Sequence, residues 1–110
     1  MAGGSYAMTK TERVRFLKEP RVGVLAVAAS SRGPLAVPVW YRMETNGDLV
    51  LVTPKASLKA RLIRKAKRLS LCVQDEKPPY RYVSVEGPVV ASVDADLERD
   101  LRPIARRYYG

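Results

Sequence analysis

Histidine is absent from the 110-residue sequence, and this absence excludes more functions than any other feature of its composition. A Ser-His-Asp or Cys-His nucleophile, a histidine-ligated haem and a histidine-containing zinc site all need a side chain that the chain does not have. Any chemistry must therefore come from a bound cofactor, or from lysine, tyrosine and carboxylate side chains.

Cysteine is nearly as scarce, since Cys72 is the only one. It cannot form an internal disulfide, and its position in the apolar run 69–73 predicts a buried structural thiol in a reducing compartment. No apolar run reaches the length of a membrane-spanning helix, and residues 1–8 lack the pattern of a signal peptide. We therefore predict a cytoplasmic protein without a membrane partner, with a loose leader at residues 1–8.

Acidic residues are few: the sequence has 20 lysines and arginines but only 11 aspartates and glutamates, which gives a net charge of +9. This surplus indicates an anionic partner, which is a nucleic acid, a phosphate-bearing cofactor or an acidic surface. Charge alone does not choose among the three.

The length of 110 residues predicts one domain, at residues 9–110, and capping, turn and apolar patterns place its elements. Thr9 and Glu12 have capping-box spacing, Asn46-Gly47 is a strong hairpin signal, and Gly87-Pro88 marks a bulge or bend in a long last strand. The predicted helices lie at 10–18, from 58 onward, and at the end after Asp94 or Asp96; the predicted strands lie at 22–29, 35–43, 49–52, 68–74 and 80–93. These elements predict a five-stranded, curved antiparallel sheet whose open edges a second subunit covers.

The most informative stretch is basic. Residues 53–70 contain no acidic side chain and seven basic ones: Lys55, Lys59, Arg61, Arg64, Lys65, Lys67 and Arg68. Ser57 is a predicted N-cap, so the helix start combines a positive field with unpaired N–H groups, which is the outline of an anion site. The alternative is that Leu58, Leu62, Ala66 and Leu69 pack one face on a sheet and that the charges are only its solvated face.

The order of elements and four segments resemble the split-barrel flavin and deazaflavin oxidoreductases, the superfamily that includes pyridoxamine-phosphate oxidase, and within it the F420-dependent group. The segments lie at 19–26 (EPRVGVLA), 37–41 (VPVWY), 53–64 (TPKASLKARLIR) and 79–87 (PYRYVSVEG). The resemblance implies a mainly β split β-barrel with an antiparallel, Greek-key-like sheet.

The same resemblance implies where a cofactor binds. It places the backbone of Pro38, Val39 and Trp40 along the flavin or deazaflavin ring, Thr53 at the ring or ribityl chain, and Lys59 at the phosphate, with Lys55, Ala60 and Arg61 beside it. It implies that Tyr80 reaches the cofactor of the other subunit of a homodimer. The chain departs from the family at Leu62, where a Lys-x-x-Asn-Leu pattern is usual, and family members usually continue past the final helix, so part of the pocket is expected beyond residue 110.

The resulting prediction is an F420-dependent oxidoreductase that transfers hydride to or from a small organic substrate, with FMN as the alternative cofactor. The redox chemistry belongs to the cofactor, which explains why histidine can be absent. No catalytic residue is predicted, since Tyr41, Tyr80 or solvent could supply a proton. Trp40 and Tyr41 face opposite sides of a strand, so one is expected in the core and the other in the pocket or an interface.

Two alternatives remain. One is a carrier that binds the cofactor without turnover. The other is a basic β-barrel that binds nucleic acid through Arg61, Lys65, Arg68, Trp40 and Tyr80. The aromatic residues are not interleaved with the basic run, so we predict no nucleic-acid partner.

Overall fold

The computed structural model describes residues 8–110. The helical segments are α1 (Lys10–Lys18), α2 (Leu58–Ala66), a π-helical turn (Leu97–Leu101) and α3 (Arg102–Tyr109), and the strands are β1 (Gly23–Val27), β2 (Leu35–Val39), β3 (Tyr41–Met43), β4 (Leu49–Leu51), β5 (Arg68–Gln74) and β6 (Tyr82–Pro88). Except for Met8, which packs against the core, the predicted leader at 1–8 lies outside the described residues.

Local hydrogen bonds confirm the predicted cap and turn. The Thr9 hydroxyl accepts a hydrogen bond from the Glu12 N–H at 3.2 Å, and the Glu12 carboxylate accepts one from the Thr9 N–H at 2.9 Å, which completes the capping box. Gly47 adopts φ +94°, a conformation that favours glycine, in the turn that joins β3 to β4. The first helix and the hairpin therefore form from residues close together in sequence.

The strands form two antiparallel sheets rather than the predicted single sheet of five. The larger sheet has the order β2-β1-β5-β6, and β3 pairs only with β4. The predicted strand at 35–43 is divided at Trp40, because the β1–β2 ladder ends at Val39 and the Tyr41 N–H donates instead to the Tyr108 hydroxyl at 3.2 Å. This division leaves an open, incompletely closed barrel.

The predicted strand at 80–93 is shorter at both ends, since β6 covers only Tyr82–Pro88. Pro88 pairs with the first residue of β5, and the next N–H, that of Val89, donates to the carbonyl of Lys67 at 3.0 Å. Lys67 already lies in the turn between α2 and β5, so β5 offers residues 90–93 no strand to pair with. The predicted bulge at Gly87-Pro88 is therefore the end of the strand.

The core lies between the inner face of the larger sheet, α1 and the start of β3. Its buried members are Phe16, Leu17, Leu25, Tyr41, Leu71, Val73 and Val83. Cys72 points to the opposite sheet face from Leu71 and Val73 and is half-buried, so the prediction of a buried core thiol was wrong. The alternation of β5 separates the thiol from the core.

Ser57 is the N-cap of α2, as predicted, and Leu62 and Ala66 are half-buried, but Leu58 does not join the packed face of the helix. Leu58 is 40% exposed, whereas Ala60 is 6% exposed and Ile63 packs against the core. The helix contacts β1 and β5, where a small side chain allows a close approach. The predicted packing of Leu58 was therefore wrong.

Two residues near the end of α3, Arg107 and Tyr108, form what we call the C-terminal clamp. The Arg107 guanidinium donates to the carbonyls of Leu17, Lys18 and Glu19 at 2.7, 2.6 and 2.8 Å, so it satisfies the last carbonyls of α1. The Tyr108 hydroxyl donates to the Arg21 carbonyl at 2.7 Å. The clamp therefore fixes the end of α3 against α1 and the segment before β1.

The other end of α3 is held by Asp100. Its carboxylate accepts hydrogen bonds from Arg99 at 2.7 Å, from the Asp96 N–H at 2.9 Å and from Arg42 on β3 at 3.2 Å. The hydrogen bonds from Arg99 and from the Asp96 N–H lower the pKa of Asp100 well below its usual range. Asp96 is the N-cap of the π-helical turn, which confirms one of the two predicted caps.

Over the described range, 8–110, the longest and most apolar helices fall short of what crossing a bilayer requires.

We expect Asp100→Asn to lower the free energy of unfolding at neutral pH, because an amide cannot accept charge-assisted hydrogen bonds from both arginines. Since folding lowers the pKa of Asp100, its ionised form stabilises the fold above the unfolded-state pKa, near 4, and this stabilisation is lost as the pH falls. Urea unfolding at a series of pH values should therefore show the wild-type and variant free energies converging below about pH 4. A constant difference across the whole pH series, or a Glu76→Gln control that behaves like the variant, would contradict this role.

Candidate functional site

A groove of about 700 Å³ opens at the end of β2, between α2 and α3. It is lined by Val22, Pro38, Val39, Trp40, Val52, Lys59, Leu101, Ile104 and Ala105. Four of the predicted site residues, Pro38, Val39, Trp40 and Lys59, are therefore brought together on one concave surface. Its walls are apolar, and Lys59 provides a positive charge, which is typical of a site for an apolar ligand with an anionic group.

Trp40 is held in place by the last turn of α3. Its ring stacks on Tyr108 with a centroid distance of 4.8 Å and an interplanar angle of 9°, and it meets Tyr109 edge-on at 5.1 Å. The adjacent Tyr41 is fully buried, so the predicted division of these two side chains between core and pocket is confirmed.

The Tyr41 hydroxyl donates to the Leu17 carbonyl at 2.8 Å, and burial raises the pKa of this phenol. Both features keep the proton on Tyr41 and away from the groove. Tyr41 is therefore excluded as the proton donor, and Tyr80 and solvent remain of the three sources that the sequence allows.

The loop before α2 is ordered by Thr53 and Ser57. The Ser57 hydroxyl donates to the Pro54 carbonyl at 2.8 Å and accepts from the Ala60 N–H at 3.1 Å. The Thr53 hydroxyl lies 3.1 Å from the Ser57 oxygen and is the donor in that pair, because the Ser57 proton is already committed to Pro54. Thr53, which does not line the groove, thus helps to position the N-cap Ser57.

The start of α2 retains free donors. In the part of the chain that the structure describes, no carboxylate lies within ion-pair distance of Lys59, and the N–H groups of Leu58 and Lys59 have no protein acceptor. Helix-start N–H groups and the positive end of the helix dipole attract anions, and an ammonium group beside them adds to the effect. This end of the groove is therefore the natural place for a phosphate.

Lys55, in contrast, is already paired. Its ammonium lies 2.6 Å from the Asp94 carboxylate, and the two side chains are 81% and 78% exposed. The hydrogen bond from Lys55 lowers the pKa of Asp94. An exposed pair of this kind contributes little to stability, so Lys55 can exchange Asp94 for another anion at low cost.

The remaining predicted site residues lie around the groove rather than in it. Ala60 is buried and its N–H is committed to Ser57, whereas Arg61 is exposed on the next turn. Tyr80 is 54% exposed in the turn before β6, with φ +59°, and does not contact the groove of its own chain. A contact from Tyr80 to a second subunit stays a prediction.

Sequence reasoning missed more than half of the groove lining. Val22, Val52, Leu101, Ile104 and Ala105 had no predicted site role. The last three recur at the i, i+3, i+4 spacing of one helix face, a signal that indicates an apolar face but not that a groove lies beside it. The position of that face depends on the C-terminal clamp, which no local pattern predicts.

The geometry does not combine the contacts that the nucleic-acid alternative requires. Trp40 lies in the groove, whereas Arg61, Lys65 and Arg68 do not line it. Lys65 donates to the Ser30 hydroxyl at 3.2 Å, and Arg68 lies 3.9 Å from Glu86. The stacking and phosphate contacts expected of a single-strand binder are therefore separated.

Residues 9–110 match the family model described as pyridoxamine 5'-phosphate oxidase. A solved F420 reductase superposes with a TM-score of 0.77 at 25% sequence identity, covering 87% of this chain and 75% of that one. A conserved hypothetical protein from Mycobacterium tuberculosis superposes with a TM-score of 0.67 at 30% identity, covering 74% of this chain, which spans only 52% of that protein's chain. No match is found among curated proteins. The match of the family model over nearly the whole chain, together with the open antiparallel architecture, shows that this chain belongs to the pyridoxamine 5'-phosphate oxidase family and has its FMN- and F420-binding type of split-barrel fold.

Proposed function

We propose that this chain is an oxidoreductase that binds F420 in the groove and transfers hydride between it and a small organic substrate. The observation that carries the proposal is Lys59, which lies on an apolar groove beside two free helix-start N–H groups. FMN is the alternative cofactor, because its phosphate would use the same donors. The family and the likeness to an F420 reductase support the oxidoreductase class.

The residues present fit such a cofactor. The backbone and side chains of Pro38, Val39 and Trp40 supply a wall for a planar ring, and Lys59 supplies the counter-charge for a phosphate. The net charge of +9 favours F420 over FMN, since the F420 tail adds carboxylates that Lys55, Arg61 and Arg64 can meet. Lys55 would release Asp94 to do so.

When bound, the cofactor supplies the redox chemistry as a hydride donor or acceptor, and a proton from solvent or a protein acid completes reduction of an electron-poor double bond. The chain's own part is to hold the phosphate at Lys59, to align the ring against Trp40 and to exclude water with apolar side chains. With Tyr41 committed to the core, we assign the proton to solvent or to Tyr80 of a second copy.

We also propose a homodimer with the cofactor at its interface. The outer face of the larger sheet carries Val24 between its neighbours Pro38 and Cys72, and Val24 is 45% exposed. An apolar sheet face of this kind is normally covered. Cys72 on this face has a free thiol, which fits the reducing cytoplasm that we propose as the location.

The first test is titration of the purified protein with F420, FMN and a single-stranded oligonucleotide at several salt concentrations. We expect saturable binding of F420 or FMN, followed through cofactor fluorescence, and hydride transfer to enone acceptors from the reduced form. Binding of the oligonucleotide alone, with affinity that falls steeply with salt, would overturn the proposal. Cofactor binding without turnover on any acceptor would favour the carrier.

Lys59→Gln should weaken binding of the preferred cofactor by about tenfold or more, because a charge-assisted hydrogen bond contributes about 1.5–3 kcal/mol. Lys65→Gln is the matched control, since Lys65 lies on the same helix but outside the groove. Equal dissociation constants for both variants and the wild type would place the phosphate elsewhere.

Val24→Asp should convert a dimer into a monomer, because the new carboxylate would be buried in the interface without a partner. Analytical ultracentrifugation measures the mass, and far-ultraviolet circular dichroism confirms that the variant folds. The matched control Val90→Asp, outside the sheet face, should leave the mass of the dimer in solution unchanged. A wild-type protein that is monomeric at all concentrations would contradict the shared site.

A further inference from the structure

The wall of the groove that α3 and the preceding π-helical turn supply is free of charged and polar side chains. Leu101, Ile104 and Ala105 form it, and among the groove-lining residues of the described chain Lys59 alone carries a charge. Leu101 is 41% exposed, although it lies on a concave surface. This wall therefore offers apolar area to a ligand and no partner for a second charge.

The two charged residues that hold this wall in place, Asp100 and Arg107, are already committed to other groups. The Asp100 carboxylate is taken by Arg99, Arg42 and the Asp96 N–H, and the Arg107 guanidinium donates to three carbonyls of α1 and its end. None of these residues lines the groove. The same contacts hold both ends of α3, so the helix cannot easily turn a charged face inward.

An ionic group that enters an apolar site without a counter-charge loses its hydration and gains nothing in return. The proposed function assigns Lys59 to the cofactor phosphate. An anionic substrate would compete for that lysine, and a cationic one would be repelled by it. A neutral apolar molecule meets neither obstacle.

We infer that the substrate sharing this groove is an uncharged, apolar molecule and that Leu101, at the end of the π-helical turn, and Ala105, on α3, determine its size. This inference rests on the proposed function, because it takes Lys59 to be used by the cofactor. Ala105 has the smallest side chain in the lining, so the space beside it decides how bulky a substrate fits. A carboxylate at this position would add a negative charge to a wall that is otherwise apolar.

The test uses methyl cinnamate and cinnamate, two electron-poor alkenes that share a skeleton and differ in charge. Trp40 is the only tryptophan in the sequence and lines the groove, so its fluorescence reports occupancy directly. We expect saturable quenching by methyl cinnamate, and a dissociation constant at least about tenfold higher for cinnamate once Lys59 is saturated with FMN or F420 phosphate. Free tryptophan, titrated in parallel, corrects for absorption by the ligands.

Ala105→Asp should weaken methyl cinnamate binding by at least about tenfold, and Ala105→Leu should weaken tert-butyl cinnamate more than methyl cinnamate. Ala95→Asp and Ala95→Leu are the matched controls, because Ala95 is exposed and outside the groove. The inference would be overturned if cinnamate bound as tightly as its ester, or if neither compound gave saturable quenching. It would also be overturned if Ala105→Asp bound methyl cinnamate as tightly as the wild type does.

The two proposals fail in different ways. Suppose that neither F420 nor FMN binds, but that methyl cinnamate still binds more tightly than cinnamate and Ala105→Asp weakens its binding. The cofactor assignment is then refuted, and the inference of an apolar ligand stands. If a cofactor binds and turns over while charged and neutral alkenes bind equally, only the inference about the substrate is refuted.

Discussion

The structure depends on one set of hydrogen bonds, those by which the C-terminal clamp closes the end of α1. Arg107 satisfies three successive carbonyls that the helix cannot pair internally, and Tyr108 reaches the segment before β1 through its hydroxyl. The same tyrosine stacks on Trp40 and receives the N–H of Tyr41. The short helix α3 therefore caps the carbonyls at the end of α1, accepts the N–H of Tyr41 where the strand is divided, and supplies a wall of the groove. Loss of these contacts would open the core and the site together.

The division of the strand at Trp40 is the step that links fold to function. A continuous strand at 35–43 would alternate strictly and keep its whole ladder on β1. Instead β3 leaves the larger sheet to pair with β4, while Tyr41 lies in the core and Trp40 lines the groove. The open barrel then has a gap that is apolar, concave and bordered by a helix start. A family built on flavin and deazaflavin binding needs such a gap, because the cofactor itself provides the reactive atoms.

At the start of α2, some cationic side chains are free to bind an anion and others already have a partner. Ser57 takes the N–H of Ala60, the first two N–H groups of the helix have no acceptor in the described chain, and Lys59 lines the groove. Lys55 is neutralised by Asp94, and Lys65 is engaged by Ser30. Of the seven basic residues between 53 and 70, only Lys59 thus combines an apolar surface with free backbone donors. Net charge alone overstates the number of anion contacts, because most of these side chains point to water.

Features controlled by residues close in sequence were predictable from the sequence alone: the Thr9–Glu12 capping box, the Asn46-Gly47 hairpin, the Ser57 cap and the bounds of α1 and β5. The resemblance of four segments also located Pro38, Val39, Trp40 and Lys59, which the fold brings together. The break at Trp40, the end of β6 at Pro88 and the exposure of Leu58 were decided only by the tertiary structure. Each depends on a partner distant in sequence, such as Tyr108 for Trp40, and side chains so far apart leave no periodic pattern. For the same reason Leu101, Ile104 and Ala105 could be assigned to an apolar helix face but not to a groove, since only the clamp decides what that face meets.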